Sequence, residues 1–119
     1  MENPDKDKIE RIIRNRKKAR SFYSKKSEVY QCFTDMEQNT YKDGKLNKTQ
    51  KELIAIGISV VINCESCMEW HIKRALDGGA SEDEILEAIE VGIEMGGGPA
   101  TVSARFAMNV LEYYQQSQL

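Results

Sequence analysis

The stretch LIAIGISVVI, residues 53–62, is apolar on nearly every side when wound as a helix, and it constrains the fold more than any other feature of the chain. A helix without a polar face has to be surrounded, by other helices of its own chain or by a partner subunit. The run is well short of the roughly 20 residues that a membrane-spanning helix requires, so it reads as the central element of a soluble domain. Just before it, Thr49-Gln-Lys-Glu52 has the S/T-x-x-E pattern of a capping box and places a helix start there.

The periodicity on either side is also helical, and no stretch alternates apolar and polar residues as a half-buried strand does. A first helix is expected over about 7–20, with Ile9, Ile12 and Ile13 as a thin apolar stripe on a charged rod. A second is expected over about 24–38, where Val29, Phe33 and Met36 recur at helical spacing beside Cys32, and TYKDGKLN then forms a loop. A break at Asn63 is expected between the central helix and a fourth, which ends at Gly78-Gly79. Ser81-Glu-Asp-Glu84 repeats the capping pattern before a fifth helix buried through Ile85, Leu86, Ile89 and Ile93, closed by Gly96-Gly97-Gly98-Pro99. A last helix over about 100–115 carries the small residues Ala100, Ser103, Ala104 and Ala107 for close approach of a neighbour. The expected fold is all-α: one domain over 1–119, a bundle of about six helices, with residues 1–25 a charged N-terminal helix and a central helical hairpin.

With 119 residues, 40% hydrophobic and 30% charged, the chain has the size and composition of one soluble globular domain. Its N-terminus lacks the apolar core of a secretory signal, so a cytoplasmic location is expected, with no membrane partner. Three cysteines do not make the disulfide framework of a small secreted protein. Arg11, Arg14, Arg16, Lys17, Lys18, Arg20, Lys25 and Lys26 crowd the N-terminal part, and Glu82, Asp83, Glu84, Glu87 and Glu90 a later one. Both read as solvated helix faces; a nucleic-acid partner is not expected, because the basic part lacks a docking motif and holds only Phe22 and Tyr23 as aromatics.

Chemistry is concentrated in NCESCMEWH, residues 63–71. On a helix Cys67 and His71, the only histidine, share one face about 5 to 6 Å apart at Cβ. Cys64 lies one turn earlier, near a helix N-terminus that favours a thiolate, and both sulfurs can reach disulfide distance. A thiol of pKa ~8.5 is about 3% ionised at pH 7, whereas one of pKa ~6.5 is roughly three quarters ionised, so a histidine neighbour and a helix end change its nucleophilicity substantially. Glu52 lies eleven residues before the break at Asn63 and His71 eight after it. At ~1.5 Å per residue, a hairpin folded at Asn63 brings the two to similar heights. A carboxylate there orients the imidazole in a glutamate, histidine and cysteine relay; the alternative is that Glu52 merely caps its helix.

Glu52, eleven residues, Cys64-Glu-Ser-Cys67, three more and His71 match E-x11-C-x2-C-x3-H. In this the chain resembles the alkyl hydroperoxidase D family, within the carboxymuconolactone decarboxylase-like superfamily, over roughly residues 30–115. KLN-x-x-x-KEL, GAS-x-x-EI and GGGPA extend the resemblance. It implies an all-helical subunit, homo-oligomers that are often trimers or hexamers, and peroxide reduction in which Cys67 attacks and Cys64 resolves. It also implies that Glu52 and His71 relay the proton, that no bound cofactor is needed, and that a lipoyl-bearing or thioredoxin-like dithiol donor restores the pair. Ser66 stands where the typical hydroperoxidase has a second histidine, which bears on rate and on peroxide preference.

Three other readings compete. Zinc has three candidate ligands in Cys64, Cys67 and His71, with Cys32 as a fourth, although Cys32 in an apolar stripe reads better as a core residue. A non-catalytic scaffold or redox sensor is compatible with the same cysteines. Lactone decarboxylase chemistry belongs to the superfamily but to members without the redox pair. Covalent haem attachment is excluded, because Met68 and not histidine follows Cys67. Trp70, Phe106, Tyr113 and Tyr114 read as packing residues more readily than as a pocket lining.

Overall fold

The computed structural model describes residues 2–116. Six helices follow one another: α1 Lys6–Lys26, α2 Glu28–Thr40, α3 Lys48–Val61, α4 Glu65–Asp77, α5 Glu82–Gly96 and α6 Gly98–Gln116; no strand occurs among the described residues. The protein is therefore all-α, as its periodicity requires, and no described helix is long and apolar enough to cross a membrane.

The apolar α3 is central on one side only. It packs against α4 and α5 and more lightly against α6, burying Ala55, Ile56, Gly57, Ser59 and Val60. Approach to α5 is close because Gly57 and Gly92 face one another: a Cβ on Gly92 would lie 2.7 Å from the Gly57 carbonyl oxygen. The core continues through Met68, Ile72 and Ala75 of α4, Ile85 and Ile89 of α5, and Phe106, Ala107 and Val110 of α6. α1 adds Ile9, fully buried, with Ile12 and Ile13 partly so. The N-terminus is tied down by Asn3 Nδ2, which donates to the Asn109 carbonyl at 2.7 Å, and by Asn109 Nδ2, which donates to Asp5 at 2.8 Å.

Four expectations are corrected. The capping box of α3 is Asn47 with Gln50, not Thr49 with Glu52: Asn47 Oδ1 accepts from Gln50 N, and Gln50 Oε1 from Asn47 N, both at 2.8 Å. Asparagine caps as well as threonine does, and starting two residues earlier lets the chain leave its loop in the extended conformation seen at Asn47. Thr49, now inside the helix, donates to the Gly78 carbonyl instead. Second, α2 buries none of its residues: Val29 is 81% exposed, Phe33 51% and Met36 58%. The helical spacing is real, but the stripe turns away from the core, because Ser27 alone joins α2 to α1 and caps it while α1 remains its main neighbour. Third, Cys32 on that stripe is exposed and is not a core residue. Fourth, Leu86 is 48% exposed, so the buried face of α5 runs through Ile85, Ile89 and Gly92, at the helical spacing of four and three.

Candidate functional site

The hairpin of α3 and α4 positions every group of the motif. Its break is Asn63, whose φ of 54° is the left-handed conformation that asparagine tolerates better than most residues. Ser103 of α6 donates to Asn63 Oδ1 at 3.0 Å, and Cys64 N donates back to the Ser59 carbonyl at 3.0 Å. The turn is thus closed by hydrogen bonds on both sides, and α4 starts in a fixed direction.

Cys64 is the N-cap of α4, and its sulfur accepts from the Cys67 backbone N–H at 3.2 Å. The two cysteines are joined as a disulfide with Cα atoms 5.2 Å apart. On reduction, both sulfurs are left in the first turn of a helix, where unpaired N–H groups and the aligned peptide dipoles stabilise negative charge. Glu65 in that turn opposes the effect, but Lys8 of α1 holds its carboxylate at 3.2 Å.

Because α3 is capped at Asn47, Glu52 is released from capping and projects into the helix interface, 2% exposed. Its Oε1 lies 2.7 Å from His71 Nδ1, and its Oε2 accepts from Lys48 Nζ at 2.7 Å. The equal heights expected of the two hairpin arms are observed. Burial acts to raise the pKa of Glu52, but the hydrogen bonds and charges of His71 and Lys48 outweigh it and hold the carboxyl below its usual value. An ionised carboxylate only accepts, so Nδ1 of His71 is the donor, and in the neutral ring Nε2 then carries the free lone pair. Tyr41 stacks on the imidazole with centroids 5.4 Å apart and Lys48 over its own ring at 5.8 Å. Burial first, then the negative charge of Glu52, pushes the Tyr41 phenol above its ordinary pKa.

Cys67 and His71 open onto one groove of about 580 Å3, bounded by Tyr41 just past α2, by Ile54 and Ile58 of α3, and by Ile62 at the C-cap of α3. The structure thus brings Glu52, Cys64, Cys67 and His71 to one hairpin. Cys32, the residue that would complete a zinc set, stays on exposed α2, and among the described residues no group of three His, Cys, Asp or Glu side chains is arranged to hold a metal. Trp70, Phe106, Tyr113 and Tyr114 do not line this groove.

Two neighbours of the site escaped the sequence reading. Lys48 is four residues before Glu52, a spacing at which opposite charges meet on a helix, so a signal existed. Tyr41 lies in a loop with no period, and nothing local indicates that it folds over His71.

A family model described as the carboxymuconolactone decarboxylase family matches residues 27–109, most of the chain. "Uncharacterized protein 4 in cox locus" from Paracoccus denitrificans is 38% identical over 81 residues, covering 68% of this chain and 73% of that protein. "Alkyl hydroperoxide reductase AhpD" from Anaeromyxobacter sp. (strain K) is 38% identical over 45 residues, covering 38% of this chain and 24% of that protein. Among solved structures, a carboxymuconolactone decarboxylase family protein from Legionella pneumophila superposes with a TM-score of 0.83 at 30% identity, covering 91% of this chain and 97% of that one. A family member from Thermotoga maritima, for which a part in an antioxidative response has been suggested, gives 0.84 at 27% identity, covering 91% and 92%.

Proposed function

Because the chain belongs to the carboxymuconolactone decarboxylase family, and carries a paired-cysteine motif on its central hairpin, we propose that it is a thiol-dependent peroxidase of the alkyl hydroperoxidase D kind. The observation that carries the reading is the bond of 2.7 Å between buried Glu52 and His71, the latter four residues along one helix face from Cys67. The shared name of the Anaeromyxobacter relatives supports it over a limited part of the chain.

In the reduced protein, Glu52 holds His71 with Nδ1–H toward the carboxylate, and Nε2 takes the thiol proton of Cys67. The thiolate attacks a peroxide ROOH: the S–O bond forms, the O–O bond breaks, and the alkoxide leaves as ROH with the proton from His71. Cys67 is then a sulfenic acid, which the Cys64 thiol attacks, releasing water and forming the disulfide. An external dithiol exchanges with that disulfide and becomes a disulfide itself. The sum is ROOH plus dithiol giving ROH, water and oxidised donor. Aliphatic Ile54, Ile58 and Ile62 in the groove suit an apolar R group. The donor is a lipoyl-bearing or thioredoxin-like dithiol protein, the enzyme acts in the cytoplasm, and it works as a homo-oligomer, a trimer or hexamer.

Purified protein given an organic hydroperoxide and excess dithiol is expected to consume many equivalents of peroxide per subunit. One stoichiometric oxidation, with loss of two thiols and no turnover, would contradict the peroxidase and support a redox sensor. Production of carbon dioxide from a lactone acid, unaffected by Cys67→Ser, would favour the lyase chemistry for which the family is named.

A further inference from the structure

Tyr41 is fastened from both sides. It caps the C-terminus of α2, a helix that buries none of its own residues and has α1 as its main neighbour. The last turn of α2 also has no basic side chain to meet the carbonyls left unpaired at a helix end. Lys51 of α3 supplies one from across the loop: its Nζ donates to the Thr40 carbonyl at 2.9 Å and to the Lys42 carbonyl at 2.7 Å, the residues on either side of Tyr41. Further along, Lys48 N donates to Asp43 Oδ1 at 2.7 Å, and Gly44 N to the Leu46 carbonyl at 2.9 Å. The loop that carries Tyr41 is thus tied to the start of α3, one turn from Glu52.

This fastening sets an aromatic ring against His71, with centroids 5.4 Å apart and planes 33° from parallel. The imidazole needs a second support, because Glu52 fixes one nitrogen only. If the ring turned about its Cβ–Cγ bond, or exchanged Glu52 for water, the wrong nitrogen would face Cys67. A ring across the imidazole face opposes both: it fills the volume such a rotation would sweep, and it keeps water from the 2.7 Å bond of a side chain only 14% exposed. The face of a tyrosine ring is also its electron-rich side, and this one attracts Lys48 Nζ at 5.8 Å, so it favours the positive charge that His71 gains with the thiol proton. Both contacts belong to the ring. Burial first, then Glu52 and Glu37, hold the phenol above its ordinary pKa, so it is neutral wherever the thiol ionises and removing the hydroxyl changes no charge.

We propose that Tyr41 is a positioning residue of the site: its ring, latched by Lys51, holds the His71 imidazole with Nδ1–H on Glu52 and Nε2 open to Cys67. The assignment deepens the thiol-peroxidase reading above and rests on its relay of Glu52, His71 and Cys67.

The test uses the fact that His71 is the only histidine, so its ring nitrogens give a single set of NMR signals. Long-range 15N–1H correlation on the disulfide form, with the imidazole neutral, reports which nitrogen carries the proton while no site thiol titrates. Wild type and Tyr41→Phe are expected to show Nδ1–H, Tyr41→Ala a mixture with Nε2–H, and Lys51→Met a smaller admixture. In reduced protein carrying Cys64→Ser, alkylation of Cys67 by iodoacetamide at neutral pH is expected to slow about three- to tenfold in Tyr41→Ala, the worth of one aromatic contact, and to return to the wild-type rate in Tyr41→Phe. Circular dichroism checks that each variant keeps its helices. Tyr41→Ala that retains the wild-type tautomer or alkylation rate overturns the proposal. So does Tyr41→Phe impaired as far as Tyr41→Ala, which would assign the effect to the hydroxyl, and so does a wild type with its proton on Nε2. The expected tautomers and alkylation rates without peroxide turnover would contradict the peroxidase and leave the role of Tyr41 standing.

Discussion

Two buried carboxylates, one on each arm of the central hairpin, are built for different tasks. Glu52 on α3 is 2% exposed and Glu69 on α4 is 0%. Each has a partner for both oxygens. Glu69 is clamped by the Arg16 guanidinium on one side and the Tyr114 hydroxyl on the other. Arg16 is itself stacked on Trp70 at 4.7 Å, with Arg20 and Arg74 on the same ring at 4.7 and 4.1 Å. Burial and the bond to Glu69 push the Tyr114 phenol far above its ordinary pKa, so it stays protonated as a donor. This constellation ties α1, α4 and α6 together and is shut in. Glu52 instead holds an imidazole that opens onto a groove, and its second partner, Lys48, is 46% exposed and reaches solvent. Equal burial therefore gives one carboxylate a structural role and leaves the other next to a mobile proton. The difference lies in what the partners can do next: a guanidinium cannot release its proton, whereas an imidazole can.

That contrast can be broken in order of expected effect. Cys67→Ser is expected to reduce peroxide turnover to background while Cys64→Ser still forms a sulfenic acid that a dimedone-type trap captures; turnover retained in Cys67→Ser would reverse the assignment of the two sulfurs. Glu52→Gln is expected to slow the reaction of Cys67 with peroxide by about 10²–10⁴-fold, the range for losing a general-base assembly, with the fold retained. Its mirror image is Glu69→Gln, which leaves the partly buried Arg16 beside a neutral amide. Stability by urea denaturation should fall by about 3–5 kcal/mol while the rate per folded molecule stays nearly unchanged. If the two substitutions had the same effects, the distinction between them would be wrong.

Acid sharpens the comparison further. The pKa of Glu52 is lower in the folded protein than in the unfolded chain, so its ionised form contributes stability above its ordinary value of 4.5. That contribution is lost as pH falls from 4.5 through the folded value. Wild type is therefore expected to be more stable than Glu52→Gln at neutral pH, with the gap closing below 4.5; a gap that widened in acid would contradict the sign. The smallest effect is expected from Lys48→Met, severalfold on rate, because water can take the place of an exposed ammonium at Oε2.

Much of this arrangement is legible in the sequence because it is local. The capping residues and periodicity place every helix boundary except the end of α1 and the start of α2 to within about two residues, and the arm lengths around Asn63 place Glu52 opposite His71. α1 runs further, to Lys26, because nothing in ARSFYSKK stops a helix before Ser27. Where two caps compete over a few residues, as Asn47 and Thr49 do, the pattern cannot rank them, since either side chain satisfies the same N–H groups. The α2 stripe shows the other limit. Val29, Phe33 and Met36 encode an apolar face but not the surface that covers it, so the pattern around Cys32 points to a core that lies elsewhere. The same holds for Arg16 and Arg20, which belong to a basic run in sequence and pack on Trp70 in space.

The central claim is that the Glu52–His71 pair serves Cys67 as its base. It is tested most directly by the pH dependence of iodoacetamide alkylation of Cys67, in reduced protein carrying Cys64→Ser, with and without Glu52→Gln. The account predicts a half-maximal rate well below pH ~8.5, the value for a free thiol, moving up toward it by about a unit or more when Glu52 becomes Gln. A profile at the free-thiol value in the protein with Glu52 intact, unchanged by the second substitution, would contradict it.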